Sequence, residues 1–359
     1  MSIYIIYNIF FFIQNIALSK YYSCMVHKRI LLFLGCLELI VLMSLRHFDV
    51  GADTFTYVSA LFDYSEYRLF DLLSINYMYP YNFELGYLWL TKICAFFNFD
   101  YNLFLFIIAS LIYIPVFKLI YRFSPFPVLS ISMYFGLGLF AYSIGIFRQF
   151  IAISVIISGI DYIINKELAK WCITVLLAMS FHTSALICLP MYLLSHNFGK
   201  WFYLASIIFQ LILNQFGRSI LEIVFGFFLR YAGNINSDYD ITGGSYVMLA
   251  IYNIIFFVVI LYKRFFRKDK SKYITLFCNF VPIVCCLQIL GYHLGIFGRI
   301  VPYYSIFLII LIPVILKDMF NNYSSITINY LLSFIFILLF IYRTLNDKYI
   351  TPFVFFWDK

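Results

Sequence analysis

Leu103–Tyr121 reads LFLFIIASLIYIPVFKLIY, nineteen residues with a single charge, Lys118, near the C-terminal end. A helix rises about 1.5 Å per residue, so this run spans roughly 28 Å, close to the ~30 Å hydrocarbon thickness of a bilayer. It is long enough to cross a membrane and too apolar to sit in water. Comparable runs recur along the chain: Ile3–Leu18, Ile30–Leu45, Val128–Gly145, Phe147–Ile164, Trp171–Leu194, Phe202–Gln215, Ile220–Leu229, Tyr246–Tyr262, Tyr273–Leu290, Ile300–Leu316 and Ile326–Tyr342. The first lacks a basic n-region and a small-residue cleavage site, so it reads as a retained span and not a signal peptide. Phe202–Gln215 and Ile220–Leu229 are short, and predict an intramembrane hairpin or tilted partial spans. The expected fold is an all-α, polytopic integral membrane protein of about twelve transmembrane helices, one membrane domain over residues 1–359.

Composition agrees. Of 359 residues, 64% are hydrophobic and 12% charged, against about 45–50% and about 25% in soluble domains. So few charges exclude a cytosolic enzyme, a disordered chain, a disulfide scaffold and a nucleic-acid binder. The net charge of +8 reflects Lys and Arg in short loops, where they set orientation. The eight cysteines are scattered through apolar segments, with no zinc spacing, and read as small apolar filler. No metal and no cofactor is called for.

Basic loops assign the sides. Lys20, Lys28 and Arg29, then Lys118 and Arg122, then Lys166 and Lys170, and finally residues 263–272 with six basic residues and Asp269, all belong in the cytoplasm. Residues 46–84 hold Asp49, Asp53, Asp63, Glu66, Asp71 and Glu84 against only Arg46 and Arg68. This stretch is the expected outer loop, with Phe55–Leu73 as an amphipathic helix. Residues 230–245 form a second outer loop, whose Tyr231, Asn234, Asn236, Asp238, Tyr239 and Asp240 are a mixture that sugars favour. Leu85–Phe97 is about thirteen residues long; if it crossed, Lys118 and Arg122 would fall outside. It is therefore expected to be re-entrant or surface-lying, with both chain ends outside; the alternative is an odd number of crossings with one exception to the charge rule.

Polar residues in such a chain need a reason, because an ionisable group at mid-bilayer costs about 2.5–3.5 kcal/mol on insertion scales. Asp53 either caps the following helix or presents an acid at the outer mouth of a cavity. Glu84 either answers a helix dipole or belongs to the site. Arg148-Gln149 falls in an outward turn, where a planar guanidinium suits a phosphate, or snorkels to headgroups. His182, about ten residues from either end of Trp171–Leu194, is either interhelical glue or a proton acceptor lining a wet cavity. Arg299, with Gly298, Tyr303 and Tyr304, repeats the Arg148 argument outside. A Walker lysine motif, an H-E-x-x-H and a G-x-S-x-G elbow are all missing from the sequence.

Five motifs occur in order: Arg46…Gly51-x-Asp53…Tyr57, Glu84-x-Gly86, Arg148-Gln149-x-x-Ala152, Phe181-His182-x-Ser184-Ala185…Pro190 and Gly298-Arg299…Tyr303. Together they resemble the EpsG family of Wzy-type polysaccharide polymerases. Ala52 stands where members commonly have Thr, and the C-terminal half outside Arg299 matches only as hydrophobic spans. The resemblance implies a metal-independent membrane glycosyltransferase. It would join undecaprenyl-diphosphate-linked oligosaccharide repeats at the outer face of the cytoplasmic membrane, beside membrane lipids and assembly proteins such as a flippase and a chain-length regulator. It implies that His182, Asp53 and Glu84 are the catalytic candidates and that Arg148, Gln149, Arg299, Arg46, Tyr57 and Tyr303 bind substrate. Arg148 and Arg299 would hold the diphosphate. The product class (O-antigen, capsule or exopolysaccharide) stays open. A lipid-linked oligosaccharide flippase is the non-enzyme alternative, and a transferase using a lipid-monophosphate sugar is the enzyme alternative.

Overall fold

The computed structural model describes residues 2–21, 23–67, 81–226, 245–267, 271–345, 347 and 350–358. Nearly all of the expected loop 230–245, part of the loop 46–84 and the centre of the basic loop 263–272 lie outside the described residues. Among the described residues the regular structure is helical, and Arg46 and Phe355 form one isolated antiparallel bridge.

The chain forms two compact units, the first made of Met1–Tyr162, Glu167–Leu189 and Ile326–Lys359. Its helices are α1 (Ser2–Tyr21), α2 (Cys24–Ser44), α3 (Thr54–Ser65), α4 (Leu85–Phe96), α5 (Tyr101–Phe123), α6 (Pro127–Gly136), α7 (Leu139–Gly145), α8 (Phe147–Ser158) and α9 (Leu168–Phe181). A 3₁₀ helix, Thr183–Ser195, follows α9. The second unit comprises Ile163–Lys166 and Pro190–Ser325. It contains α10 (Lys200–Gly226), α11 (Tyr246–Leu261), α12 (Lys272–His293) and α13 (Leu308–Met319). The last helix, α14 (Asn322–Thr344), belongs to the first unit from Ile326 onward.

In the first unit α2 and α5 pack as neighbours running in opposite directions. Asn102 at the start of α5 donates to the Ser44 carbonyl at 2.7 Å, while Lys28 reaches the Ser124 carbonyl at 2.6 Å at the other end. Arg122 pairs with Asp161 at that second end as well. Three loops expected on the cytoplasmic side therefore meet at one end of the unit. The opposite end gathers Arg46, the start of α3, Glu84 and Arg148. Helix α4 leaves from Glu84, and the chain is back beside Ser44 by Asn102. Its twelve residues span only about 18 Å, too short to cross.

Among the described residues, seven helices are long and apolar enough to cross a membrane, or up to eight if the bent pair α6–α7 counts as one span. That count does not reach the twelve expected from run lengths. Val128–Gly145, expected as one span, is bent by 61° between α6 and α7. Gly138 adopts φ +81°, and a Cβ there would lie 2.3 Å from Arg343 Nη1. Arg343 in turn donates to the Gly136 carbonyl at 3.3 Å, closing the open end of α6. Phe147–Ile164 is interrupted after Ser158. Phe202–Gln215 and the described part of Ile220–Leu229, as far as Gly226, belong to the single helix α10, 27 residues long. Helix α2 is left out of the count by Lys28, Arg29 and Glu38.

In the second unit α12 is the central helix, with most of its residues buried. Asn279 fixes it: its amide donates at 2.8 Å to the Leu194 and His196 carbonyls and its oxygen accepts from Tyr203 at 2.7 Å. Each polar group of that buried amide thus has a partner, as low dielectric demands. Outward faces stay apolar; Ile173, Leu176 and Leu177 of α9 are 65%, 63% and 54% exposed. A stripe of that kind belongs against lipid.

Candidate active site

The site is built where three chain breaks meet. Glu84 occupies the N-cap position of α4 in an extended conformation, yet its side chain makes no cap hydrogen bond. The carboxylate points elsewhere. Its Oε2 accepts from Arg148 Nη1 at 2.5 Å, and its Oε1 accepts from the Thr183 backbone N–H at 3.1 Å and the Thr183 hydroxyl at 3.3 Å. Oε1 also lies 2.9 Å from His182 Nδ1. One carboxylate thus joins α4, α8 and the junction between α9 and the 3₁₀ helix. It also answers an unpaired N–H at the start of that second helix, where a negative charge is favourable.

His182 is not in the middle of a continuous span as the hydropathy run predicts. Helix α9 stops at Phe181, and His182 has extended backbone (φ −157°, ψ 118°) before the 3₁₀ helix begins. Ser180, Thr183 and Ser184 are the residue types that draw backbone hydrogen bonds away from a helix. The break frees the imidazole to meet an acid from another helix.

Glycine makes that meeting possible. A Cβ built on Gly86 would lie 2.4 Å from Ser180 Oγ and 2.8 Å from the Ser180 carbonyl oxygen. The first turn of α4 therefore touches the last turn of α9 backbone to backbone, bringing Glu84 to His182. Gly86→Ala must push the two helices apart, because a carbonyl cannot rotate away as a hydroxyl can. Since a misplacement of about 1 Å costs on the order of 10²-fold in rate, the variant is expected to insert normally and lose most activity. Adding Ser180→Ala should not restore it, which comparison of polymer yield at matched protein abundance would check. Undiminished activity in Gly86→Val would remove the close-approach role.

Aromatic rings form the floor. Tyr57 stacks on Phe147 at 4.8 Å between centroids and meets Tyr87 at 5.2 Å, while the Arg148 guanidinium lies 5.0 Å from the Phe83 ring centre. Arg46, 2% exposed, lies 5.2 Å from the Phe147 ring centre. Among the described residues its Nε and Nη1 have no hydrogen-bond partner, and neither has Arg148 Nε. Two guanidiniums with unsatisfied donors therefore line this aromatic floor, Arg46 against Phe147 and Arg148 against Phe83, a cationic surplus that the single carboxylate of Glu84 does not cancel.

Electrostatics follow from these contacts. Burial pushes the Glu84 carboxyl up, but the His182 hydrogen bond, the Arg148 charge and the Thr183 N–H outweigh it and hold its pKa at about 2. Glu84 is ionised at any physiological pH. Burial drives the Tyr57 phenol up, and despite the Arg148 charge it stands at about 12, so it remains a neutral hydroxyl. With Glu84 fixed as an acceptor, the His182 proton resides on Nδ1, which makes Nε2 the proton-accepting nitrogen.

The remaining candidates divide. Asp53 starts α3 without a side-chain cap bond, so the capping alternative has no support in the geometry, and its charge acts on Tyr57. Gly51 beside it adopts φ +113°, and a Cβ there would lie 2.7 Å from the Ile144 carbonyl oxygen. This glycine seats the start of the 46–84 loop against the end of α7, one turn from Arg148. Gln149 is buried in α8. Arg299 and Tyr303 belong to the second unit, where Arg299 is exposed after Gly298 and Tyr303 is fully buried. The sequence reading missed Phe83 as part of the site; it adjoins Glu84, and adjacency was the available signal.

The fold and this cluster define a multi-pass helical membrane protein with a carboxylate–histidine–arginine centre at one end of its first unit. The chain belongs to the EpsG family, whose model matches residues 29–355, and that family is Wzy-type polymerase-like. No curated protein and no solved structure matches the chain.

Proposed function

We propose that the protein is a polysaccharide polymerase of the cytoplasmic membrane, joining undecaprenyl-diphosphate-linked oligosaccharide repeat units at its outer face. The observation that carries this reading is the Glu84 carboxylate held between Arg148 and His182. Glu84 orients the imidazole and stabilises the imidazolium, the role of the acid in hydrolase triads. His182 Nε2 takes the proton of the acceptor hydroxyl as its oxygen attacks the anomeric carbon of the donor sugar. The anomeric C–O bond to the diphosphate breaks, and the lipid diphosphate leaves with the electron pair. Arg148, through its unpaired Nε, and Arg46 behind Phe147 meet that developing charge. The site carries a net positive charge at rest and gains one more when His182 is protonated, at the moment the diphosphate departs. Arg299, in the second unit, is assigned a diphosphate-binding role on the family resemblance alone.

Purified protein given lipid-linked repeat unit should produce a ladder of polymer lengths without nucleotide or divalent metal. Movement of intact repeat units across a vesicle membrane with no ladder would instead establish the flippase alternative. Orientation supports a second test. Thr56→Cys, on an exposed position of α3, should react with an impermeant thiol reagent from outside, and the exposed Cys24 only from inside. Labelling of Thr56→Cys from the cytoplasm would place the cluster on the wrong side for such chemistry.

A further inference from the structure

The end of the first unit opposite Glu84 holds a cavity of about 260 Å³, walled by α1, α2, the turn before α6 and the start of α14. At about 30 Å³ per water it has room for roughly eight water volumes. It is smaller than the ~300–1,000 Å³ of drug-sized sites, and close to the size of a headgroup. Its walls carry several polar side chains among apolar ones. Asn15 and Asn329 are 8% and 5% exposed, and His27, Lys28 and Tyr330 complete the polar lining.

Two of these side chains bring buried atoms without hydrogen-bond partners among the described residues: Asn329 Oδ1 and His27 Nε2. A backbone hydrogen bond at Asn15 engages the His27 ring, so Nε2 of the neutral ring is an acceptor. Asn15 donates to the Tyr330 hydroxyl at 3.2 Å, which leaves that hydroxyl's proton to give. An unmet buried acceptor costs about 1–3 kcal/mol, and two in one cavity call for a ligand that donates twice. Lys28, tied to the Ser124 carbonyl and lying 5.6 Å from the Tyr121 ring centre, supplies a positive charge at the wall. The same end carries the basic loops.

We propose that this cavity binds an anionic phosphate bearing free hydroxyls, the chemistry of a glycerophosphate group, with the phosphate at Lys28 and the hydroxyls donating to Asn329 Oδ1 and His27 Nε2. Two sources present that chemistry at a cytoplasmic membrane surface: a phosphatidylglycerol headgroup and a soluble polyol phosphate. The assignment is independent of the polymerase reading.

The test uses the full chain purified in neutral detergent, with bound lipid counted by native mass spectrometry and Tm followed on ligand addition. Phosphatidylglycerol should be retained in preference to phosphatidylcholine if the lipid is the source. A rise in Tm with sn-glycerol 3-phosphate and no such lipid preference would assign the soluble one. In either case Asn329→Leu and Lys28→Gln should weaken binding about tenfold. Asn329→Leu should also be at least as stable as the parent without ligand, because it deletes an unmet acceptor; if that variant does not fold, Lys28→Gln carries the comparison. Arg29→Gln, at an exposed position beside the cavity, should change binding by no more than about twofold. No lipid preference together with no response to glycerol phosphate would overturn the proposal. So would an Arg29→Gln loss as large as that of Asn329→Leu, which would mean attraction to a basic surface and not a pocket.

Discussion

Glu84→Gln is expected to cut polymer formation by about 10²–10⁴-fold, the range set by losing an oriented general base. The amide keeps the shape and still offers an oxygen to Thr183, but it offers no charge to an imidazolium and can present the wrong partner to Nδ1. A second consequence is separable. Arg148, with a side chain 22% exposed, would lose its counter-charge, at about 1.5–3 kcal/mol for a charged hydrogen bond. Replacing both members of such a pair by neutral groups is often harmless. Glu84→Gln/Arg148→Met should therefore return protein abundance towards the parent while turnover stays low. Recovery of turnover in the double variant would reduce Glu84 to a structural ion-pair partner. Acid unfolding gives an independent check. The folded pKa of about 2 lies below the ordinary 4.5, so the stability Glu84 confers is complete above about pH 4.5 and fades as the pH falls towards 2. The parent and Glu84→Gln should differ most in stability at neutral pH and converge in strong acid.

Arg148→Ala is a different matter from Arg148→Met in that background, because it leaves the Glu84 carboxylate intact beside His182. The acid can still orient the base, so what is lost is the donor set for the leaving diphosphate. Arg→Lys should rescue incompletely, since an ammonium cannot hold Glu84 and a phosphate oxygen through one rigid plane. Polymer yield in Arg148→Lys between those of Arg148→Ala and the parent is the expected order.

The membrane class was legible because bulk apolarity has one physical meaning over 359 residues. Individual site residues were legible for the converse reason: Glu84, Arg148 and His182 are costly in an apolar chain and so stand out. Their partnership was not legible. It depends on a close approach at Gly86 and on a helix that stops at Phe181, and hydropathy across Trp171–Leu194 stays high through that break. Span counting did not register the bend at α6–α7 for the same reason, because Gly138 and Arg343 bend a run that is uniformly apolar. It failed in the opposite direction at α10. There Asn214, Gln215, Gly217 and Arg218 lower the hydropathy, but the backbone continues as one helix, and Gly217 lets His293 approach with its Nε2 3.0 Å from the Leu213 carbonyl. Hydropathy reports what a segment is surrounded by; it does not report where the backbone turns.

His182→Gln separates catalysis from packing at the one residue where sequence left them evenly matched. Interhelical glue in mid-span predicts that Gln keeps a hydrogen bond and most of the activity, and that Leu does harm through lost protein, at roughly 0.6–2 kcal/mol. The structure changes those odds. His182 sits at a helix break, a quarter exposed, with Nδ1 2.9 Å from Glu84 Oε1. A Gln there can still donate to Glu84 and hold the junction, since Thr183 supplies two further hydrogen bonds to the same carboxylate oxygen. It cannot accept a proton from a sugar hydroxyl. Protein abundance should therefore be near normal while turnover drops by about 10²–10⁴-fold. His182→Leu should lose activity to a similar degree and destabilise the junction as well. Both substitutions must be measured at matched abundance, with single-turnover rates on a lipid-linked repeat unit so that product release does not mask the step. A His182→Gln protein with parental turnover would end the general-base role, and Asp53 would become the acid to test next.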